Sequence, residues 1–228
     1  MVAKVGRPRE FDVEEAVEAA MLLFWKHGFE STSLSALRIE MGGLSAASFY
    51  AAFSSKEALF ERVVDRYVQT YGRVLRSLWE IDVPPRRAVE LALRRSVEMQ
   101  TSRKHPRGCL VVLAATAIAS HNEHVARRAL DERARNRAGF QKCFDRAIAS
   151  GDLPQSTNKE VLATLFDTFL TGISIQARDG TTRSELNAAV TELMTIFDRY
   201  AGSSSVTPLN AVTRGLEQTD LENSTGSR

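Results

Sequence analysis

Residues 34–60, LSALRIEMGGLSAASFYAAFSSKEALF, read as two short helices joined by a glycine turn and followed by the start of a third. Leu34, Leu37 and Met41 recur at helical spacing, Gly42-Gly43 interrupts the run, and Leu44, Phe49 and Phe53 resume it. Two short helices across a tight glycine turn are the layout of a helix-turn-helix. The second helix of such a unit enters a DNA major groove only if its outward face is small and polar near its N-terminus. Ser45, Ala46, Ala47 and Ser48 meet that requirement, while Leu44, Phe49 and Phe53 can anchor the helix from inside. Tyr50 can set its hydroxyl on a phosphate. Lys56 adds a cation in the first turn of the next helix, where free backbone N–H groups already favour an anion.

Working outward, the pattern stays helical. Upstream, Val13, Val17, Ala20, Leu23 and Phe24 share one face of a helix over 12–27. The spacing predicts nine helices in all: 12–27, 33–40, 45–51, 55–80, 86–103, 108–119, 122–149, 157–178 and 183–201. No stretch alternates apolar and polar residues as a strand would. Capping boxes, in which two side chains satisfy each other's free backbone N–H groups, are expected at Ser54/Glu57, Ser120/Glu123, Thr157/Glu160 and Thr182/Glu185, with Asp12/Glu15 as an acidic version. Gly28, Gly151 and Gly180 stand where helices end.

The chain has 228 residues, 43% hydrophobic and 25% charged, the composition of a globular protein. Two cysteines, Cys109 and Cys143, make no disulfide framework and point to a reducing compartment. The longest apolar run, Cys109 to Ala119, is 11 residues, too short to span a bilayer, and the N-terminus has no apolar signal-peptide core. A cytoplasmic protein is expected. Net charge is −2 over 1–62, +8 over 63–150 and −4 over 151–228, with +3 on the opening nine residues. The expected organisation is a basic arm at 1–9, a helix-turn-helix domain at 10–54, a helical domain at 55–202 and a disordered Ser/Thr-rich tail at 203–228. The fold class is all-α: a three-helix N-terminal domain and a C-terminal helical bundle.

The runs GRPREFD, LFWKHGFESTSLSALRIEMGG and LSAASFYAAFSSKEALF together resemble the DNA-binding domain of TetR-family transcriptional regulators. Gly28-Phe29, Thr32-Ser33-Leu34, Phe49-Tyr50, Phe53 and Ser55-Lys56-Glu57 fall where that family places such residues. Arg107-Gly108-Cys109-Leu110 and Gln176-Ala177-Arg178-Asp179-Gly180 are similar to one branch of it. The resemblance implies a homodimeric repressor that sets two recognition helices on a palindromic double-stranded DNA operator and is released by a small-molecule effector. It implies DNA contacts from Arg7, Arg9, Thr32, Ser33, Ser45, Ala46, Ala47, Ser48, Tyr50 and Lys56. The glycine turn is one residue longer than the usual form of the family, and the recognition helix lacks a Lys or Arg near its start. Base readout then leans on hydroxyls, methyl contacts, water and groove shape.

In the C-terminal half, apolar stripes on the last two helices suit a dimer interface through Leu162, Phe169, Ile173, Leu186, Val190 and Phe197, on the expectation that one chain leaves them uncovered. Tyr67, Tyr71, Met99, Cys109, Leu113, Phe140, Phe144 and Phe166, with Trp79, are candidates to line an effector pocket. Cys109, beside Gly108 and near Lys104, His105 and Arg107, allows an alternative reading as a sensor of oxidants or electrophiles if its thiolate is favoured. A second alternative is an all-helical interaction module that binds no DNA. His105, Cys109, His121 and His124 show no metal-binding spacing, so no metal or other cofactor is expected. No GxSxG, phosphate loop or GxGxxG is present, and the chain does not read as an enzyme.

Overall fold

Asp12 starts the first helix of the described residues by accepting from the Glu14 and Glu15 amides at 2.8 and 3.2 Å. The computed structural model describes residues 12–114, 118 and 122–202. Among them the helices are α1 (Val13–His27), α2 (Leu34–Glu40), α3 (Ala46–Phe53), α4 (Lys56–Gln69), α5 (Pro85–Gln100), α6 (Leu110–Leu113), α7 (Glu123–Ala149), α8 (Lys159–Asp179) and α9 (Arg183–Gly202). A tight 3-10 segment, Tyr71–Trp79, lies between α4 and α5. The described residues are all-helical with no strand. The basic arm, the Ser120/Glu123 cap, His121 and the tail at 203–228 lie outside the described residues.

Thr182 and Glu185 form the expected reciprocal box, with each side chain bonded to the other's backbone amide at 2.8 and 3.3 Å. Two expected caps sit one residue further on. Ser55, not Ser54, accepts from the Ala58 amide, and Asn158, not Thr157, accepts from Val161. Ser54 instead closes α3 at φ +62°, so its backbone cannot begin a helix.

The helix expected over 55–80 breaks at Thr70. The Thr70 hydroxyl donates to the Arg66 carbonyl at 2.7 Å, and the chain tightens after it. A Cβ at Gly72 would stand 3.3 Å from the Tyr67 carbonyl oxygen, a second reason for glycine at this break. The helix expected over 108–119 is, among the described residues, only Leu110–Leu113. Gly108 sits at φ +85°, outside helical space.

Two apolar clusters hold the fold. One joins α1–α4 to Leu110, Val111, Val125 and Ala129, so α4 packs both on the N-terminal helices and on α6 and α7. The other joins the 3-10 segment to α5, α7, α8 and α9. Beside the first, Arg66 on α4 clamps α1, its guanidinium 2.7 Å from both Glu14 and Glu18.

The second cluster corrects the interface expectation. Leu162, Ile173, Leu186, Val190 and Phe197 are buried within a single chain, since α9 lays its apolar stripe on α5 and α8 packs on α7. They leave no patch for a second copy to cover. Phe169 is half-buried, and the exposed apolar face of α8 is a different one, made by Val161, Leu165, Phe169 and Ile175 around Gly172.

Candidate nucleic-acid interface and effector cavity

The turn between α2 and α3 is held at both ends. Gly42 and Gly43 take φ +93° and +75°, and their amides both donate to the Ile39 carbonyl, at 3.2 and 3.1 Å. Two consecutive positive-φ positions are what glycine accommodates without strain. Arg38 locks the exit: its carbonyl accepts from the Leu44 amide at 2.9 Å, and its Nε donates to the Leu44 carbonyl at 2.8 Å. Leu37, Met41, Leu44, Phe49 and Phe53 face the core as expected. Ser45, Ala46, Ala47, Ser48 and Tyr50 face solvent, with Tyr50 51% exposed. The small outward face is therefore presented by a helix whose other side is anchored. Ser45 also caps α3, accepting from the Ser48 amide at 3.0 Å.

Other expected contact residues are placed differently. Thr32 is buried and donates to the Gly28 carbonyl at 2.6 Å, so it closes the α1–α2 turn and presents nothing outward. Ser33 is exposed, and its hydroxyl accepts from the Ala36 amide at 3.1 Å as the α2 cap. The Lys56 ammonium lies over the Phe29 ring, 4.2 Å from its centroid. Partial burial lowers its pKa, and the Glu30 and Glu57 carboxylates oppose that shift. Arg7 and Arg9 lie outside the described residues.

A cavity of about 30 Å³ opens between Tyr67, the 3-10 segment, α5, α6, α7 and α8. Of the expected pocket residues, Tyr67, Met99 and Cys109 line it. Tyr71 and Leu113 do not: Tyr71 packs edge-on against Trp25, and Leu113 lies against Gly108. Phe140, Phe144 and Phe166 do not line it either. They pack on one another at centroid distances of 5.4–6.4 Å and fill the second core, and Trp79 packs on that core beside them. Sequence reasoning missed the polar walls, Ser96 and Gln100 on α5, Glu132, Arg133 and Asn136 on α7, and Asp167, Thr171 and Ser174 on α8. Ser96 and Gln100 fall in the buried stripe of α5, and Ser174 in that of α8, which is the signal that marks them. Burial raises the Asp167 carboxyl, against the Arg137 and Arg133 guanidiniums.

Cys109 accepts a hydrogen bond from the Tyr67 hydroxyl at 3.2 Å. Burial pushes its thiol up, outweighing that bond and the Val112 and Val111 amides. The stabilised thiolate that the sensor alternative needs is therefore not what this position favours, because α6 is a single turn and the sulfur is desolvated. Cys143 is a buried packing residue of the second core.

Arg107-Gly108-Cys109-Leu110 and the α8 terminus meet at one joint. Arg178 donates to three carbonyls: Arg107 at 3.2 Å, Lys26 at 3.2 Å and Trp25 at 2.8 Å. Trp25 and Lys26 are in the last turn of α1, whose carbonyls have no partner within the helix. A side chain of α8 thus ties the helix-turn-helix unit to the cavity-bearing half.

The fold and the exposed α3 face define a helix-turn-helix DNA-binding regulator. Residues 16–63 match the family model "Bacterial regulatory proteins, tetR family", and residues 86–197 match "Tetracyclin repressor-like, C-terminal domain". The chain is similar to the HTH-type transcriptional repressor ComR of Escherichia coli K12, 31% identical over 185 residues that cover 79% of this chain and 86% of ComR. It is also similar to the E. coli K12 repressor BdcR, 34% identical over 47% of this chain and 54% of BdcR. Among solved structures, a cysteine mutant of the TetR-family regulator CifR in complex with 26-bp double-strand operator DNA matches with TM-score 0.78. That match is 40% identical and covers 83% of this chain and 98% of the other. The chain belongs to the TetR family of transcriptional regulators, and is a DNA-binding regulator and not an enzyme. No helix among the described residues is long and apolar enough to cross a membrane.

Proposed function

We propose that this chain is a homodimeric repressor that holds a palindromic operator through α3 of each copy and leaves it when a small molecule enters the cavity beneath Tyr67. Residues 10–54 read DNA, residues 55–202 bind the effector and the second copy, and the arm at 1–9 adds phosphate contacts. A cytoplasmic location follows from that role. The observation that carries the reading is the small, solvent-facing Ser45–Ser48 surface with Tyr50, on a helix fixed by buried Phe49 and Phe53. The repressor names of ComR and BdcR, and the operator complex of CifR, support the same reading.

A single short helix reads too few base pairs for specificity, and a twofold dimer doubles the read length. The surface suited to the second copy is the exposed apolar face of α8, where Val161 is 55%, Leu165 39% and Ile175 50% exposed. A Cβ on Gly172 would meet nothing within 4 Å, so the middle of that face is open to a close approach.

Gel-shift titration with DNA from upstream of the coding sequence tests the reading. Tyr50→Phe and Lys56→Gln each weaken binding to operator and to random DNA alike, by about 1 kcal/mol per lost phosphate contact. Leu165→Glu yields monomers in sedimentation and loses operator affinity. Full affinity in the two head variants, or a dimeric Leu165→Glu, contradicts the assigned faces.

A further inference from the structure

Two residues that line the cavity beneath Tyr67 carry buried polar atoms with nothing to bond. Gln100 Oε1 on α5 and Ser174 Oγ on α8 have no hydrogen-bond partner, and their residues are 2% and 0% exposed. Both residues line the same space. Buried polar groups in folded proteins are nearly always paired, because a bare one has given up water for nothing. This wall therefore fits a guest that brings a donor for the Gln100 carbonyl oxygen and an acceptor for the Ser174 hydroxyl.

The charges around the cavity limit what the guest can be. Glu132 pairs with Arg128 and Arg135 at 3.7 and 3.5 Å, and Asp167 with Arg137 at 3.2 Å. The Arg133 guanidinium donates to the Val111 carbonyl. Both wall carboxylates are thus ion-paired, and the Arg133 guanidinium lies in the field of Asp167, so an ionised guest would be desolvated with no counter-charge left to itself. Ser96, Asn136 and Thr171 add neutral polar groups to the wall, and Leu75, Val111, Val112 and Leu170 supply its apolar part. At about 30 Å³ the space suits a molecule of few heavy atoms.

We propose that the cavity takes a small uncharged molecule with a hydrogen-bond donor and acceptor on one end and a short apolar body on the other, the chemistry of a short-chain carboxamide or alcohol. As an assignment of effector class the proposal rests on the regulatory reading above. As a binding site it stands on the two unpartnered atoms and the paired charges.

Thermal-shift and calorimetric titration of the full-length protein with propionamide, 1-propanol, propionate, propylammonium and ethyl methyl ether tests it. Propionamide and 1-propanol raise Tm saturably, while the two ions and the acceptor-only ether do not. Gln100→Leu and Ser174→Ala remove the unpartnered atoms without breaking any hydrogen bond those atoms make. Each variant folds with an unchanged or higher Tm and binds propionamide at least about tenfold more weakly, the loss expected for one hydrogen bond. Equal shifts from propionate or propylammonium, or propionamide binding undiminished in the double variant, overturn the proposal. So does a panel in which no compound binds, which leaves the cavity to buried water. Operator release is read separately by gel shift with propionamide. Binding without release refutes the effector reading and leaves the site assignment intact.

Discussion

Replacing Arg178 with alanine isolates the joint between the two halves of the chain. Its guanidinium makes three bonds to carbonyls that have few alternatives: Trp25 at 2.8 Å, and Lys26 and Arg107 at 3.2 Å each. A hydrogen bond to a charged group contributes about 1.5–3 kcal/mol when buried, and a neutral one about 1. Here the side chain is exposed, and two of the bonds are long. The short, partly buried bond to Trp25 is therefore counted at about 1 kcal/mol and the other two at about 0.5 each, for a total near 2 kcal/mol. Part of that total is the favourable placement of a cation at the C-terminal end of α1, about 0.5 kcal/mol. Arg178→Lys keeps this charge but loses the planar fork, and should recover only that fraction. Urea denaturation of the three proteins measures the difference directly. Amide exchange in the last turn of α1 should also quicken in Arg178→Ala. An alanine variant within about 0.5 kcal/mol of wild type, with unchanged exchange in α1, would refute the clamp.

Gly108→Ala should destabilise by about 2–4 kcal/mol in the same assay. Its Cβ would clash with Leu113 Cδ1 and fall 2.8 Å from the Ser174 carbonyl oxygen at φ +85°, and the carbonyl cannot swing aside. Ser54→Gly should stabilise by about 1 kcal/mol with operator affinity unchanged, because it relieves φ +62° at an exposed position. Glu90 has its pKa lowered by the Arg94 guanidinium first, then by Arg86 and Arg87. A carboxylate lowered in the folded state adds stability above its ordinary value of 4.5 and loses it as pH falls through the lowered value. Glu90→Gln should therefore flatten the acid limb of a Tm-versus-pH curve while leaving its shape near neutrality unchanged.

How much of this is legible in the sequence depends on how local the cause is. The helix-turn-helix is written in neighbouring residues. Gly42-Gly43 sets the turn, Ser33 and Ser45 cap the helices on either side, and Leu37, Met41, Leu44, Phe49 and Phe53 mark the buried side. What was missed is long-range. The burial of Val190 and Phe197 depends on where α5 lies, which no property of α9 discloses. The Arg178 clamp joins residues more than 150 positions apart. Phe140, Phe144 and Phe166 look equally fit for a pocket or a core, and only packing decides that they fill the core. The break at Thr70 had a local cause, the hydroxyl bonding back to Arg66, but the apolar periodicity continues through it and conceals it.

The central claim is that the solvent face of α3 meets DNA. Ala47 is exposed at the middle of that face and takes no part in the core. Ala47→Glu should therefore leave Tm and the helical circular-dichroism signal unchanged while setting a carboxylate against the groove and its phosphates. Titration of wild type and Ala47→Glu against operator DNA at one salt concentration is the direct measurement. Ala47→Glu should lose at least about a hundredfold in affinity, or roughly 2.7 kcal/mol. Operator binding by a folded Ala47→Glu protein at wild-type affinity would contradict it.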